Sequence, residues 1–368
     1  MPICKNITTT FENGIDGLVD EDKFLGDPED GDWIYNGYVD SYDDSLLLAM
    51  PNQSSGTVLS SSRYVWFGKI SATLKTSHLQ GVVTAFILFS NAQDEIDFEF
   101  IGSELTTVES NYYYQAVLNY SNVRNATTSD TYENYHTYEV DWTPEELTWS
   151  LNGESFRTLK KEDTWNSSTN SYHYPQTPSR VQFSLWPGGD SDNSVGTIAW
   201  AGGAIDWDAD DIKDYGYYYM LLKNVSIECY EAPEDTLIEG DVSYIFNSSS
   251  SFDQDDIVIS DEETVLGSDE ASGLDPDEGK SSSSSDSDSS TKSGSTKTSS
   301  GSTSTSGSDS DSDDSDSGSS STTSGSGGWN QYGSSSSTEG SSSNLANSIG
   351  GSSFVSLLLS IMMIATAL

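Results

Sequence analysis

Asp94-Glu95-Ile96-Asp97-Phe98-Glu99-Phe100 is the stretch that decides the fold, because acidic and apolar residues alternate strictly from Glu95 onwards. Alternate side chains of a β-strand share a face, so we expect the three apolar residues from Ile96 to Phe100 to point into a core. Glu95, Asp97 and Glu99, here called the carboxyl triad, then lie together on the opposite face. From this alternation alone, the strand is either an acidic outer strand or part of a catalytic site.

Further strand-like segments flank this stretch on both sides. Polar and apolar residues alternate at 69–75, whereas 82–89 is a nearly continuous apolar run, which is typical of a strand buried between two sheets. Asn152-Gly153 has the composition of a tight hairpin turn. Other predicted strands are 112–118, 138–142, 147–151 and 181–186. Many short strands without long helices indicate an all-β domain, a sandwich or jelly roll of antiparallel sheets.

The carboxyl triad suits glycoside hydrolysis with retention, which needs one ionised and one protonated carboxyl about 5–5.5 Å apart. Residues i and i+4 of a strand have Cα atoms about 13 Å apart, but glutamate side chains leaning inward on a curved sheet could close much of that gap. An aspartate between them can share a proton and keep the two titrations apart. Alternation does not say which glutamate is the nucleophile.

Polar and aromatic residues on other strands are candidates for binding sugars in a concave cleft. Alternation puts Gln182 and Trp186 on one face, and Asn111, Tyr113 and Gln115 on one face of another strand. Aromatic rings stack on sugar faces, although each ring alone is more often part of a core. The predicted substrate-binding residues are Asn111, Tyr113, Gln115, Gln182, Trp186 and Trp200.

Composition divides the 368 residues into a folded part and a tail. The net charge of −44 argues against nucleic-acid partners, and the mean hydropathy of −0.50 argues against several membrane spans. We expect a catalytic domain at 1–235, an acidic linker at 236–280 and a disordered Ser/Thr-rich stalk at 281–343. The Asp-Ser alternation of the stalk could suggest calcium binding, but a solvated, self-repelling spacer explains it better.

The last segment, 344–368, ends in a short apolar run with a polar spacer and small residues before it. That order is typical of the signal for a glycosylphosphatidylinositol (GPI) anchor, with Gly340 or Asn344 as the attachment residue and the GPI lipid as partner. A short tail anchor or a buried helix is the alternative. Because this signal requires secretion and residues 1–5 do not resemble a signal peptide, we expect a signal peptide upstream of Met1.

Glycosylation sequons and the cysteine count also fit a secreted protein. Cys4 and Cys229 bracket the predicted domain and suggest one disulfide, with free thiols or pairing of Cys4 to an upstream cysteine as alternatives. No CxxC motif or His/Cys cluster is present, and we expect no metal or cofactor. The predicted glycosylation sites are Asn6, Asn52, Asn119, Asn125, Asn166, Asn224 and Asn247.

The sequence Glu95-Ile-Asp-Phe-Glu99 resembles the E-x-D-x-E signature of glycoside hydrolase family 16. The surrounding motifs resemble the Crh-type fungal cell-wall transglycosylases of that family, from about Cys4 to Tyr230. The motifs are Gly81-Val-Val-Thr-Ala-Phe-Ile-Leu-Phe-Ser, Glu133-Asn-Tyr-His-Thr-Tyr-Glu-Val-Asp-Trp, Tyr174-Pro-Gln-Thr-Pro-Ser, Ser184-Leu-Trp-Pro-Gly-Gly and Trp200-Ala-Gly-Gly-Ala-Ile-Asp-Trp.

The resemblance implies a jelly roll in which Glu95 is the nucleophile, Glu99 the general acid and base, and Asp97 their helper. It also implies chitin as the donor and β-glucan as the acceptor, with the enzyme held at the cell wall and outer plasma membrane by its anchor. We expect a monomer. The alternatives are a chitinase or β-glucanase that uses water, a non-catalytic lectin, and a structural wall mannoprotein.

Overall fold

The computed structural model describes residues 1–248 and 251–268, together with Ala271 and Asp277. The predicted stalk, the predicted GPI segment and the attachment candidates Gly340 and Asn344 lie outside the described residues. The predicted acidic linker at 236–280 is described in part. All statements of structure below refer to this part of the chain.

Strands make up most of the ordered structure in these ranges. In chain order they are β1 (Ile7–Thr10), β2 (Leu18–Asp20), β3 (Trp33–Asn36), β4 (Tyr38–Tyr42), β5 (Ser45–Pro51), β6 (Thr57–Ser61), β7 (Gly68–Lys75), β8 (Val83–Ser90), β9 (Glu95–Ile101), β10 (Thr107–Tyr113), β11 (Arg124–Thr127), β12 (His136–Trp142), β13 (Glu146–Leu151), β14 (Glu154–Lys160), β15 (Trp165–Asn166), β16 (Ser171–Tyr172), β17 (Ser179–Trp186), β18 (Tyr217–Cys229), β19 (Leu237–Ile238), β20 (Ser243–Phe246) and β21 (Ile257–Ser260).

Helices are short wherever the chain is described. The α-helices are α1 (Val195–Trp200) and α2 (Asp210–Asp214), and single 3-10 turns lie at Glu21–Lys23, Tyr120–Asn122, Lys161–Thr164 and Gln254–Asp256. None of the helices in the described ranges has the length and apolar character needed to cross a membrane.

Two large sheets pack face to face, so the predicted antiparallel sandwich of the jelly-roll type is confirmed. One sheet has the strand order β14-β13-β12-β7-β18-β5-β4, with β1 also paired to β18. The other has the order β11-β10-β9-β8-β17-β6-β3-β2. All pairs within them are antiparallel except the edge pair of β2 and β3, and β9 lies in the interior of the second sheet.

The core lies between the two sheets and is rich in aromatic side chains. Alternation along each strand supplies one inward side chain per pleat, and large rings fill the gap between the layers. Phe98 of β9 contacts Phe86 and Tyr138, with ring centroids 5.7 and 5.5 Å apart respectively. Burial of this many aromatic rings holds β9 rigidly by its inward face.

One predicted strand is shifted in the structure. The prediction of a strand at 112–118 is wrong, because β10 spans Thr107–Tyr113 and the chain turns directly after Tyr113. Gln115 and Ala116 have positive φ angles of 44° and 59°, which a strand does not accommodate. The predicted hairpin is present, with φ angles of 52° at Asn152 and 83° at Gly153.

The segment expected to be an acidic linker contains a smaller, three-stranded sheet. β19, β21 and β20 pair in that order, and Tyr244 and Ile257 contribute to the main core. Its acidic residues are interspersed with β-branched ones, as in Ile257-Val-Ile, and this local pattern forms strands even where the average composition is acidic. Ordered structure therefore continues beyond residue 235, the predicted domain boundary.

The predicted disulfide is present and joins Cys4 to Cys229. β1 follows Cys4 and pairs with β18, which ends at Cys229, so the bridge joins the two ends of the sandwich. An even pair of cysteines bridged in this way is typical of oxidising compartments.

Candidate active site

β9 holds the carboxyl triad on the face of its sheet that is turned away from the core. Ile96, Phe98 and Phe100 are at most 2% exposed and belong to the core, as the alternation predicts. The opposite parity places Glu95, Asp97 and Glu99 together on the other face. Glu95 and Glu99 are half-buried, whereas Asp97 is only 1% exposed. The central carboxyl, that of Asp97, is therefore buried, whereas the carboxyls of Glu95 and Glu99 are accessible to a ligand.

Apolar side chains of β8 flank the triad on one side. Ala85, Ile87 and Phe89 lie directly opposite Glu99, Asp97 and Glu95 in the register and form a small buried cluster. Carboxylates beside apolar surface lose hydration, which disfavours their charged form. The nearly continuous apolar sequence of this strand thus supplies both a core face and a desolvating face beside the acids.

Polar side chains of β10 flank the triad on the other side. Tyr113, Asn111 and Glu109 lie opposite Glu95, Asp97 and Glu99 respectively. The Asn111 amide donates a hydrogen bond of 2.8 Å to the Tyr113 hydroxyl. Because the Tyr113 oxygen accepts this bond, the hydrogen of the Tyr113 hydroxyl is free to donate to a ligand beside the triad.

Burial is the main cause of raised pKa values in the triad. It raises the pKa of Glu95 to about 7, against an opposing effect of the neighbouring Asp97 carboxyl. Burial, with the charges of Glu95 and Glu109, raises the pKa of Glu99 to about 8. The pKa of Asp97 lies well above its ordinary value because of burial and the charges of Glu95 and Glu99. The triad therefore retains protons at a pH where free carboxyls have lost them.

The central aspartate is held through its backbone. Neither carboxyl oxygen of Asp97 has a hydrogen-bond partner among the described residues, while its backbone carbonyl accepts a bond of 3.0 Å from Trp149 Nε1. The Arg157 guanidinium lies 4.1 Å from the centre of a Trp149 ring and donates to the Ser110 carbonyl at 2.7 Å. Residues of the opposite sheet thus fix the β9 backbone and leave the Asp97 carboxyl able to share a proton with its neighbours.

Two tryptophans lie near the Glu99 end of the carboxyl triad. Trp186 and Trp200 are stacked with ring centroids 6.0 Å apart, and Trp200 Nε1 donates to Glu109 Oε2 at 3.0 Å. Trp186 also lines a pocket of about 240 Å³, together with Gln53, Val58, Ser184 and Asp192. A pocket with an aromatic wall and a few polar groups is the composition expected of a sugar subsite.

The structure brings most of the predicted sugar-binding residues to the same sheet face as the carboxyl triad, but not Gln115. Gln182 is buried on the same sheet, and its Oε1 has no partner among the described residues. Gln115 follows the end of β10, and its side-chain amide donates to Phe252 O at 3.1 Å. Alternation does not extend past the end of a strand, so the predicted placement of Gln115 with Asn111 and Tyr113 is not what the structure shows.

Sequence reasoning missed two acidic residues beside the triad. Glu109 shares the parity of Asn111 and Tyr113, so the alternation of β10 could have revealed it. Asp94 is fully buried and accepts four hydrogen bonds from the loops around 115 and 176, which are distant in sequence. No cluster of His, Cys, Asp and Glu within the described ranges has the arrangement of a metal site.

The predicted glycosylation sites lie away from the core. Asn6, Asn52, Asn119, Asn125 and Asn247 are exposed, and Asn166 and Asn224 are half-buried. An oligosaccharide attached at the exposed positions would extend into solvent without displacing packed side chains.

Comparison with known proteins gives one family. Residues 28–202 match the family model of Glycosyl hydrolases family 16. The chain is 53% identical over 284 residues to Congo red hypersensitive protein 2 of Saccharomyces cerevisiae, covering 77% of this chain and 61% of that protein. It is 53% identical over 269 residues to Crh-like protein UTR2 of Candida albicans, covering 70% of this chain and 57% of that protein. The chain thus spans about three fifths of the length of these relatives.

A solved structure is similar in fold and sequence. The Crh5 transglycosylase in complex with NAG superposes with a TM-score of 0.57 and 27% identity, covering 70% of this chain and 94% of that one.

Proposed function

Because this chain carries a domain of glycosyl hydrolase family 16 at residues 28–202, we propose that it is a retaining transglycosylase that cleaves chitin and joins it to β-glucan. The observation that carries the proposal is the carboxyl triad, whose three members share one face of β9 beside an apolar strand. Its similarity to the Crh5 transglycosylase in complex with NAG, the sugar unit of chitin, supports this donor.

We propose Glu95 as the nucleophile and Glu99 as the acid, which are the roles that the match of Glu95-Ile-Asp-Phe-Glu99 to the E-x-D-x-E signature of the family implies. Burial raises the pKa of Glu95 to about 7 and that of Glu99 to about 8, so a Glu99 that holds a proton near neutral pH is available to act as the acid. A protonated Asp97 next to Glu95 lowers the pKa of Glu95, which stabilises the Glu95 carboxylate and keeps the two titrations apart.

The reaction proceeds in two displacement steps. Glu95 attacks the anomeric carbon of the donor while Glu99 gives its proton to the departing glycosidic oxygen, and a glycosyl ester forms on Glu95. Glu99, now ionised, removes a proton from an acceptor hydroxyl, which attacks the same carbon and releases Glu95. The stacked pair Trp186 and Trp200 provides flat surfaces on which sugar rings bind next to the triad.

The proposal includes a place for the protein outside the cell. The bridge between Cys4 and Cys229 and the exposed sequons fit a secreted glycoprotein. We propose that the predicted GPI segment at 344–368 attaches the enzyme, as a monomer, to the outer plasma membrane and the wall, where both polysaccharides are present.

A product assay on the full chain tests this function. Chitin oligosaccharide serves as donor and a fluorescently labelled β-glucan oligosaccharide as acceptor. The wild type and the exposed control Glu154→Gln should produce longer labelled chains, and Glu95→Gln should produce none because it lacks the nucleophile. Shortened chitin with an unchanged label would identify a hydrolase. Activity of Glu95→Gln equal to wild type would refute the mechanism.

A further inference from the structure

Two glutamines join the start of the catalytic strand to a segment that follows the sandwich. The backbone N–H groups of Gln115 and Gln176 donate to Asp94 Oδ1 and Oδ2 at 3.1 and 2.9 Å. Their side-chain amides donate to one oxygen of Asp253, Oδ1, at 3.4 and 3.0 Å. Each glutamine therefore connects Asp94, which precedes Glu95, to Asp253, which lies 159 residues further along the chain.

Asp94 is the anchor at the first end of this connection. It is completely buried, and Thr177 adds two more donors to it, at 3.1 and 2.7 Å. Burial raises the pKa of Asp94 to about 6, while the hydrogen bonds oppose that increase. A buried carboxyl with four fixed donors restricts the backbone on which it sits, and the next residue along that backbone is Glu95.

Asp253 is the anchor at the other end. Besides the two glutamines, it accepts a hydrogen bond of 2.8 Å from the hydroxyl of Tyr114. Tyr114 directly follows Tyr113, which lies opposite Glu95 on β10. Three donors on one carboxylate oxygen hold both the loop after β10 and the loop before β17 against the segment around Asp253.

We propose that Asp253 is a positioning residue for the carboxyl triad, acting through Gln115, Gln176 and Asp94. The segment at 251–256 is then a functional part of the site and not a spacer. The inference rests on the proposed function, because it assigns Asp253 to the placement of Glu95. The part of the inference that does not depend on the activity is the claim that Asp253 holds the surroundings of Asp94 in place through Gln115 and Gln176.

Asp253 also has a local structural role, and the test must distinguish this role from the connection to Asp94. It caps the 3-10 turn Gln254–Asp256 in a reciprocal pair with Asp256, whose carboxylate accepts from Asp253 N at 3.1 Å and from Ser251 at 2.6 Å. Asp256 makes no hydrogen bond to the two glutamines in this network. Asp256→Ala therefore removes the same number of carboxyls and disturbs the same turn without removing the connection to Asp94.

Three variants of the full chain separate the roles by their kinetics. Asp253→Ala should lower kcat for transfer about tenfold with KM within about twofold, since a small misplacement of a reacting group is costly. Asp253→Asn should retain most activity, because its amide oxygen still accepts. Asp256→Ala should keep kcat near the wild-type value. Equal kcat values for Asp253→Ala and Asp256→Ala would overturn the inference.

A second measurement keeps the inference independent of the proposed activity. The free energy of unfolding is measured from pH 4 to pH 8 for the wild type, Asp253→Ala and Asp253→Asn. Both variants lack the Asp253 carboxyl, and only Asp253→Asn keeps an acceptor for the two glutamines. Different pH dependences of the two variants therefore support the connection to Asp94, and identical curves refute it. An inactive wild type would refute the proposed function while this comparison still decides the role of Asp253.

Discussion

Replacing Glu99 by glutamine should stabilise the folded domain at neutral pH although it removes a catalytic group. Burial raises the pKa of Glu99 from 4.5 to about 8. Below pH 4 the carboxyl is protonated in both folded and unfolded chains, and folding has no ionisation penalty. As pH rises, the unfolded chain ionises first, so stability falls from about pH 4.5 until the folded group also ionises.

The size of this effect follows from the same shift. At pH 7 the unfolded group is about 2.5 pH units above its pKa, which corresponds to about 3 kcal/mol. Glu99 is half-buried and interacts with two other acids, so this figure is an upper limit. The stability gained by Glu99→Gln should therefore be larger at pH 7 than at pH 4, by up to about 3 kcal/mol.

Denaturant unfolding at the two pH values measures this difference directly. Any hydrogen bond that glutamine gains or loses is independent of pH and cancels between the two measurements. Glu154→Gln, on an exposed strand end, is the control and should show the same stability change at both pH values. A stability change for Glu99→Gln that is equal at pH 4 and pH 7 would refute the electrostatic account of the site.

Three further changes test other parts of the site and fold. Glu109→Gln removes a like charge near Glu99 and should lower its pKa, so the alkaline limb of the kcat profile should move to lower pH, whereas an unmoved limb would contradict this. Cys4→Ser with Cys229→Ser should destabilise the domain by about 2–5 kcal/mol in thermal unfolding, and an unchanged melting temperature would argue against a stabilising bridge. Trp149→Phe leaves the backbone carbonyl of the central aspartate without its donor and should destabilise by about 1–3 kcal/mol, measured by denaturant unfolding.

Local patterns predicted the sandwich and the side of β9 on which the acids lie. Alternation determines on which face of a strand each side chain lies. The apolar side chains must be buried, so the apolar face is the one that faces the core, as Phe98 and Phe100 illustrate. Gln115 shows the limit of this reasoning, because positive φ after Tyr113 ends the strand and turns the side chain elsewhere. No pattern in the sequence marks where a strand must end when both neighbours have strand-like composition.

Contacts between distant segments were beyond sequence reasoning for a different reason. Asp253 lies in a stretch whose average composition is that of a solvated linker, and its partners are 77 to 139 residues away. Hydrogen bonds over such separations depend on the three-dimensional path of the chain and not on local spacing. The triad was predictable because its members share one strand, whereas its supports come from several loops.

The position of β18 determines when this protein can fold during synthesis. β18 lies between β7 and β5 in the interior of its sheet and also pairs with β1, yet it is the last strand of the sandwich to be made. Until residues 217–229 have emerged, the earlier strands have no partner there and present open apolar edges. Cys229 is the last residue of β18, so the disulfide can form only after the central strand has arrived. Formation of the disulfide thus shows that the central strand has been made, and a chain interrupted before Cys229 lacks the bridge and is prone to aggregate.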